Sequence, residues 1–406
     1  MSFWSRLIGR KGVSSEQIWR EVYGGRASRS GVDVNWQTAL QVATVLACVR
    51  VIANGVSQVP FRVYQDDGIA KKPAVTHPLY RVLYRRPNGW QTSFTFRETL
   101  TYHLALTGNA FFWKGAVGRG REIRVLEPID PGRVQVRRAF DGAMTYRVQA
   151  DDGAAVEFAS DAIWHIRGPS WNSWMGLDAT RLARDAIGLS IATESAHADL
   201  HKGGARISGL LSMKDKIGNE KFEFLSAWLD QHSEGGKRAG KPIILDNEAK
   251  YTPLAMSGVD SQHLETRKHQ IEEVCRSFGV MPIMVGHSDK TATYASAEQM
   301  FLAHVVHTLL PWYERIEQSA DVSLLSEEDQ ANGYYCKFTP NGLMRGAAKD
   351  RGEFYTKALG AGGHGTAWMT PNEVRALEEM DSIEGGDQLP AGTQPAAPTG
   401  GQNGTD

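Results

Sequence analysis

The sequence has little of what catalysis, metal binding or membrane anchoring requires. Its three cysteines, Cys48, Cys275 and Cys336, are far apart in the chain and have no metal-ligand spacing. That argues against a disulfide framework or a cysteine zinc site, and fits buried thiols in a reducing compartment. No long apolar run is present: the most apolar stretch, residues 39–52, is interrupted by Gln41 and Arg50 and is too short to span a bilayer. Residues 1–12 are basic and amphipathic but lack the apolar centre and cleavage site of a secretory signal, so the expectation is a soluble, intracellular chain with no membrane contact. Neither sign of charge dominates, since 45 Lys and Arg against 46 Asp and Glu give a formal net charge of -1. Gripping nucleic acid by counterion release needs a basic excess, so strong DNA binding by one chain is not expected. A channel through which a polyanion slides has no use for strong attraction, so transient contact stays open.

Catalytic motifs are missing as well. There is no GxSxG, and Gly115, Gly118 and Gly120 match neither a dinucleotide fingerprint nor a phosphate loop. Cys275 lies among charged residues in the middle of a helical pattern, with nothing to lower its thiol pKa. Histidines gather late, at His263, His269, His287, His304 and His307. His304 and His307 stand three apart on a helix and Glu298 precedes them, but no glutamate lies between them as in HExxH and no third ligand has a known spacing. Glu194 and His197 are also three apart and read as a bridge or a plain polar face. No catalytic residue, metal ligand or cofactor is assigned. A metal-dependent hydrolase built on His304, His307 and Glu298 is the alternative that metal analysis would remove.

What is present is an α+β pattern of helices and antiparallel strands, long enough at 406 residues for two or three domains. Residues 1–35 are rich in Gly, Ser and Arg and read as a mobile arm. Residues 36–57 are apolar nearly all round and predict one buried helix. A strand follows at 61–64, then helices at 77–85 and 93–107, the latter capped by Gly108-Asn109. Between residues 110 and 166 the period changes to two, which predicts five strands in one antiparallel sheet, with turns at Asp130-Pro131-Gly132 and Asp151-Asp152-Gly153. Residues 176–202 predict a single helix roughly 40 Å long. Its apolar stripe is narrow enough to need neighbours on more than one side.

A compact insert at 207–254 separates that helix from another at 260–279. It carries strands at 207–212, 242–245 and 250–254 and a helix at 219–231. The second long helix stops at Phe278-Gly279-Val280-Met281-Pro282 and gives way to a loop of small residues, 286–296. A further helical pattern, 297–325, bends at Pro311. A strand at 334–338 and helices at 342–359 and 370–380 follow, with Thr370, Pro371 and Glu373 forming a capping box. Residues 384–406 read as disordered. The loop is the candidate site, with Lys290 its only cation and Tyr294 its only large side chain; an ordinary surface loop is the other reading of the same residues.

The chain resembles the HK97-like portal proteins of tailed bacteriophages and gene transfer agents. The resemblance covers residues 36–388. It rests on Ile163-Trp164-His165-Ile166-Arg167 followed by Gly176-Leu177-Asp178, and on Lys202-Gly203-Gly204-Ala205-Arg206-Ile207-Ser208-Gly209. The Phe-Gly-Val-x-Pro stop, Thr308-Leu309-Leu310-Pro311 and Thr370-Pro371-Asn372-Glu373-Val374-Arg375 add to it. Where the family often has two prolines, this chain has Met281-Pro282.

The resemblance implies a homo-oligomeric ring, usually of twelve subunits, at a unique capsid vertex of the virion, assembled in the bacterial cytoplasm. Double-stranded DNA would pass through it in transient, sequence-independent contact. The terminase large subunit, the head-tail adaptor and the major capsid protein are the implied partners. A portal fold would assign 1–35 to a flexible arm, 36–170 to a wing, 171–204 and 258–280 to stem helices, and 205–257 to a clip. Residues 281–297 would be the tunnel loop, 298–341 a long bent helix and wing strand, 342–383 a minimal crown, and 384–406 a disordered tail. Asp289, Lys290, Thr291, Thr293 and Tyr294 would then face the DNA. A minor capsid or adaptor protein without a channel is the structural alternative.

Overall fold

The computed structural model describes residues 27–68, 71–117, 122–150, 153–202, 209–212, 218–220, 222–224, 227, 250–253, 259–287, 294–340, 348–361, 366–378 and 380–390. The chain divides after Phe338 into two compact units, residues 1–338 and 339–406.

In the first unit, α1 (Trp36–Ala39) and α2 (Ala43–Ser57) replace the single helix expected over 36–57. The break is local chemistry. Asn35 and Thr38 form a capping box, and tight bonds from Gln41 N–H to Thr38 O and from Val42 N–H to Ala39 O close the short helix. Extended Val42 then redirects the chain into α2. Val45, Cys48, Val49, Ile52, Ala53 and Val56 of α2 are fully buried, so this helix is the hub of the core. Its last carbonyls need partners, and the carbonyl of Ser57 accepts from Nε and Nη2 of Arg97 at 3.2 and 2.8 Å. The guanidinium thus sits at the negative end of the helix, and burial pulls its pKa down to about 10.

Residues 27–35, expected to belong to the arm, are packed in place. Ala27 bridges Asp33, Val34 is buried, and Ser28 lies so close to the long helix that a Cβ on Gly188 would stand 2.3 Å from its Oγ. Residues 1–26 of the expected arm lie outside the described residues.

Strands β1 (Phe61–Asp66) and β2 (Lys71–Pro73) precede α3 (Pro78–Tyr84) and α4 (Ser93–Thr107). The next strands are β3 (Asn109–Val117), β4 (Glu122–Ile129), β5 (Val134–Arg138), β6 (Met144–Gln149), β7 (Ala155–Ala159) and β8 (Ile163–Arg167). They form two three-stranded sheets rather than the one expected, ordered β4-β3-β8 and β5-β6-β7. Pro131, with no N–H for a ladder, opens a 3₁₀ turn in which Asp130 Oδ1 accepts from Gly132 N–H at 2.8 Å, and the chain leaves the first sheet there. It returns at β8, antiparallel to β3, where Phe112 faces Trp164. Those rings lie 5.5 Å apart, with Phe96 of α4 4.7 Å from Phe112.

The long helix expected from 176 begins at Ala179 and is interrupted at Ala183, giving α5 (Ala179–Leu182) and α6 (Arg184–Lys202). Asp178 caps the first piece by accepting from Arg181 N–H at 2.9 Å. In the insert, β9 (Gly209–Ser212) pairs antiparallel with β10 (Lys250–Pro253), while the strand expected at 242–245 lies outside the described residues. α7 (Val259–Phe278) follows and is tied to α6 by Arg267–Glu194 and Gln270–Thr193, each at 3.3 Å. Glu194 is thus a bridging residue, as its polar face suggested.

The unit closes with α8 (Tyr294–His304), a π-helical turn at Val305–Leu309, α9 (Leu310–Leu324), α10 (Glu327–Ala331) and β11 (Tyr334–Phe338). β11 pairs with β1 across most of the sequence, and Phe61 stacks on Phe338 at 4.3 Å. Its outer edge is covered by α9: Glu317 and Asp321 accept from the N–H groups of Phe338 and Cys336, both at 2.7 Å.

The second unit contains α11 (Ala348–Ala358) and α12 (Pro371–Leu377), the latter opened by the expected Thr370–Glu373 capping box. Residues 384–390, expected to be disordered, fold back on Asn372 instead. Asn372 N–H donates to Gly386 O at 2.9 Å, and its amide donates to Ile383 O and Asp387 Oδ1 at 3.0 and 2.9 Å.

Candidate functional site

The candidate loop springs from two helical legs, and both are anchored. The first ends at Gly279, whose φ of +65° is the left-handed conformation that favours glycine. Gly279 N–H donates to Arg276 O and Val280 N–H to Cys275 O, at 3.2 and 3.0 Å, which is a Schellman stop. Pro282 keeps Met281 extended and opens the 3₁₀ turn Pro282–Val285. The single proline therefore suffices for the stop. Val280 is buried, and Met284 and Val285 pack against the same core cluster as α2. His287, the last described residue before Tyr294, reaches back to Glu272 at 4.0 Å.

The second leg starts at Tyr294, three residues earlier than expected, so Tyr294 is the first helical residue rather than part of the loop. Asp289, Lys290, Thr291 and Thr293 lie outside the described residues. Where a bend at Pro311 was expected, the helix passes through a π turn just before the proline. Leu310 N–H bonds to Val305 O, five residues back, which is the π register that precedes Pro311, a residue with no N–H to donate.

That turn joins the legs. Thr308 Oγ1 donates to Gly279 O at 2.8 Å, so the stop of one helix is bonded to the bulge of the other. Behind it, Leu309 sits on Gly55, where a Cβ would come within 2.6 Å of its Cδ2, and Tyr313 donates to Gly55 O at 2.7 Å. The glycine of α2 lets both side chains approach the backbone. Sequence reasoning missed Thr308, Gly55 and Tyr313 as supports, because their pairing spans elements and leaves no local pattern.

The histidine pair does not converge. His304 is buried, with its pKa lowered by burial and Nδ1 lacking a partner, whereas His307 is exposed and lines an open groove of about 520 Å³ with Arg276, Trp312 and Arg315. The side chain of Glu298 lies outside the described residues. Among the described residues no group of three or more His, Cys, Asp or Glu is placed to hold a metal, and no helix is long and apolar enough to cross a membrane.

The root of the long helix is a second constrained region. Asn109 Oδ1 accepts from His165 Nε2 and from Gly176 N–H at 3.0 and 2.9 Å, and His165 Nδ1 and the Tyr146 hydroxyl are hydrogen-bonded at 3.3 Å. Burial, assisted by Arg167, pushes the pKa of His165 well below its ordinary value, so the ring is neutral. Gly108, Gly168 and Gly176 meet backbone to backbone; a Cβ on Gly176 would stand 1.8 Å from Gly108 O. The motif that carried the resemblance is therefore a packing motif.

The profile of the family described as phage portal protein matches residues 43–379. The portal protein of Enterobacteria phage HK97 is 29% identical over 357 residues, covering 87% of this chain and 82% of that protein. A solved chain from the neck of an empty gene transfer agent particle superposes with a TM-score of 0.59 at 22% identity, covering 92% of this chain and 95% of that one. A chain from the neck of the native particle, computed with C12 symmetry, gives 0.56 at 22% identity, covering 91% and 94%. The two solved chains agree with the fold, and the family match spans most of the sequence: this chain belongs to the phage portal protein family.

Proposed function

We propose that this chain is one subunit of a ring that conducts double-stranded DNA through a capsid vertex, with residues 281–297 as its tunnel-loop region and Asp289, Lys290, Thr291, Thr293 and Tyr294 nearest the DNA. The observation that carries this reading is the anchored pair of legs. Thr308 bonded to Gly279, and Leu309 and Tyr313 seated on Gly55, hold the roots of the two legs that carry the polar segment on the core. Such a base suits a loop that must touch a moving polymer without deforming. One lysine per subunit in a chain of net charge -1 favours weak, sequence-blind contact with phosphate over gripping. In this assignment α6 and α7 are the stem, the β9–β10 insert is the clip facing terminase and then the adaptor, and the second unit is a small crown. Residues 36–170 form the wing, next to the major capsid protein. Leu182 and Leu189 on the long helix, and Leu302, Val306 and Leu310 at spacing four, are exposed in the single chain. Neighbouring subunits would cover them.

Electron microscopy of the purified protein and of particles is the test. Closed rings, present once per particle, are the expected result. A protein that stays monomeric at high concentration and in particles, or is present in many copies per shell, overturns the reading.

A further inference from the structure

Cys48 and Cys275 are 227 residues apart in sequence, yet Cys48 Sγ–H donates to Cys275 Sγ at 3.8 Å. Both side chains are completely buried, one on α2 and the other in the last turn of α7, among Val45, Val49, Val274 and Phe278. All three thiols are buried, as expected, but Cys275 lies in the last turn of its helix rather than in the middle. The bond from Cys48 pulls the pKa of Cys275 down, against the opposing effect of burial. Cys336 is elsewhere, on β11, and its thiol is pushed far up by burial and by Asp321.

We propose that Cys48 and Cys275 form an oxidation site, at which a peroxide-class oxidant converts the two thiols into a disulfide that staples α2 to α7. Cys275 gives up its proton, its thiolate attacks one peroxide oxygen and the O–O bond breaks; the products are a sulfenic acid and hydroxide, which takes up that proton as water. Cys48 sulfur then attacks that sulfenyl sulfur, the S–O bond breaks, and hydroxide leaves with the Cys48 proton as a second water. Two electrons and two protons pass from the thiols to one hydrogen peroxide. The sulfurs must close by roughly 1.8 Å to reach bonding distance, within the reach of side-chain rotation and a small helix shift. Burial makes the reaction slow, because the oxidant enters only during local opening. It also protects the sulfenic acid from further oxidation while the second sulfur is at hand. The inference concerns the folded chain and does not depend on the ring.

The test uses the full-length protein, incubated in its native state with hydrogen peroxide and then denatured in an alkylating agent. The expected products are a Cys48–Cys275 linked peptide on non-reducing peptide mapping and an alkylated Cys336. Faster migration on a non-reducing gel and a melting temperature higher by roughly 5 °C should accompany them, both reversed by dithiothreitol. The variants C48A and C275A should each lose the linked peptide, but the wild-type result stands without them. Two alkylated thiols after prolonged oxidation, sulfinic acid at either position, links to Cys336, or a link that leaves the melting temperature unchanged or lower overturns the proposal.

Discussion

At the residue scale, the chain keeps several titratable groups neutral in its interior, and His165 is the clearest. Its ring donates to Asn109 and meets the Tyr146 hydroxyl, and burial together with Arg167 keeps it neutral. His103 and His304 are held down by burial as well. The sign follows from linkage. Below about pH 6.5 the unfolded chain binds protons at these histidines while the folded chain does not, so stability falls as pH falls through that value. Each such histidine contributes up to about 1.4 kcal/mol per pH unit until its folded pKa is reached. Asp178, Glu317 and Asp321, raised by burial, act in the opposite sense closer to the carboxylate range. H165Q, which keeps a donor toward Asn109, should therefore flatten the loss of stability between pH 6.5 and 5 relative to wild type. Denaturant titrations at both pH values check this. Equal slopes in the two proteins would mean that His165 is protonated in the fold. None of this was legible in the sequence, where His165 is one polar letter in an apolar strand.

At the element scale, local signals were readable and contacts between elements were not. α4, β11 and the Thr370 capping box lie where the sequence put them, because caps, periodicity and turn residues act within a few positions. The Phe-Gly-Val-x-Pro stop was legible the same way. The breaks at 40–42 and at Ala183, the split into two sheets and the π turn were missed. Each is decided by what packs against the element, not by its own letters. The glycine contact at the root of the long helix is the strongest case. Gly108 has φ +70° and a Cβ there would lie 2.1 Å from Leu177 O. G108A should lower stability by about 3 kcal/mol or more, combining left-handed strain with a backbone clash. G31A, at an equally left-handed but open glycine, should cost only the strain, about 1–2 kcal/mol. Chemical denaturation of the two variants measures the difference, which is the cost of separating the helix root from β3. At the other leg, T308V removes the bond to Gly279 while keeping the side chain's shape. It should cost about 1 kcal/mol globally, yet speed amide exchange at Val280 and Leu310 far more than elsewhere. A uniform change in exchange would show that Thr308 does not hold the legs together.

At the scale of the whole molecule, charge balance is the property that bears on DNA. A ring whose subunits each carry a net charge of -1 has no general attraction for a polyanion, and in the proposed assignment its contact is made by the loop. For duplex DNA the salt dependence of binding grows by about 0.9 in logarithmic slope for each phosphate neutralised. The wild-type ring should therefore fail to retain linear double-stranded DNA at physiological salt, and residual binding at low salt should have a shallow slope. T291K combined with T293K should convert the sleeve into a grip: measurable retention, a steeper slope, and slower or incomplete genome filling in particles. Deleting residues 289–293 should act differently, leaving ring assembly intact while packaged DNA is lost or never reaches full length. The two variants separate the functions of the loop, since the first alters its charge and the second its presence. If both packaged full genomes at the wild-type rate, the constriction would have to lie on another element. The exposed, charged face of α7 at Glu265, Arg267 and Lys268 would then be the next to alter.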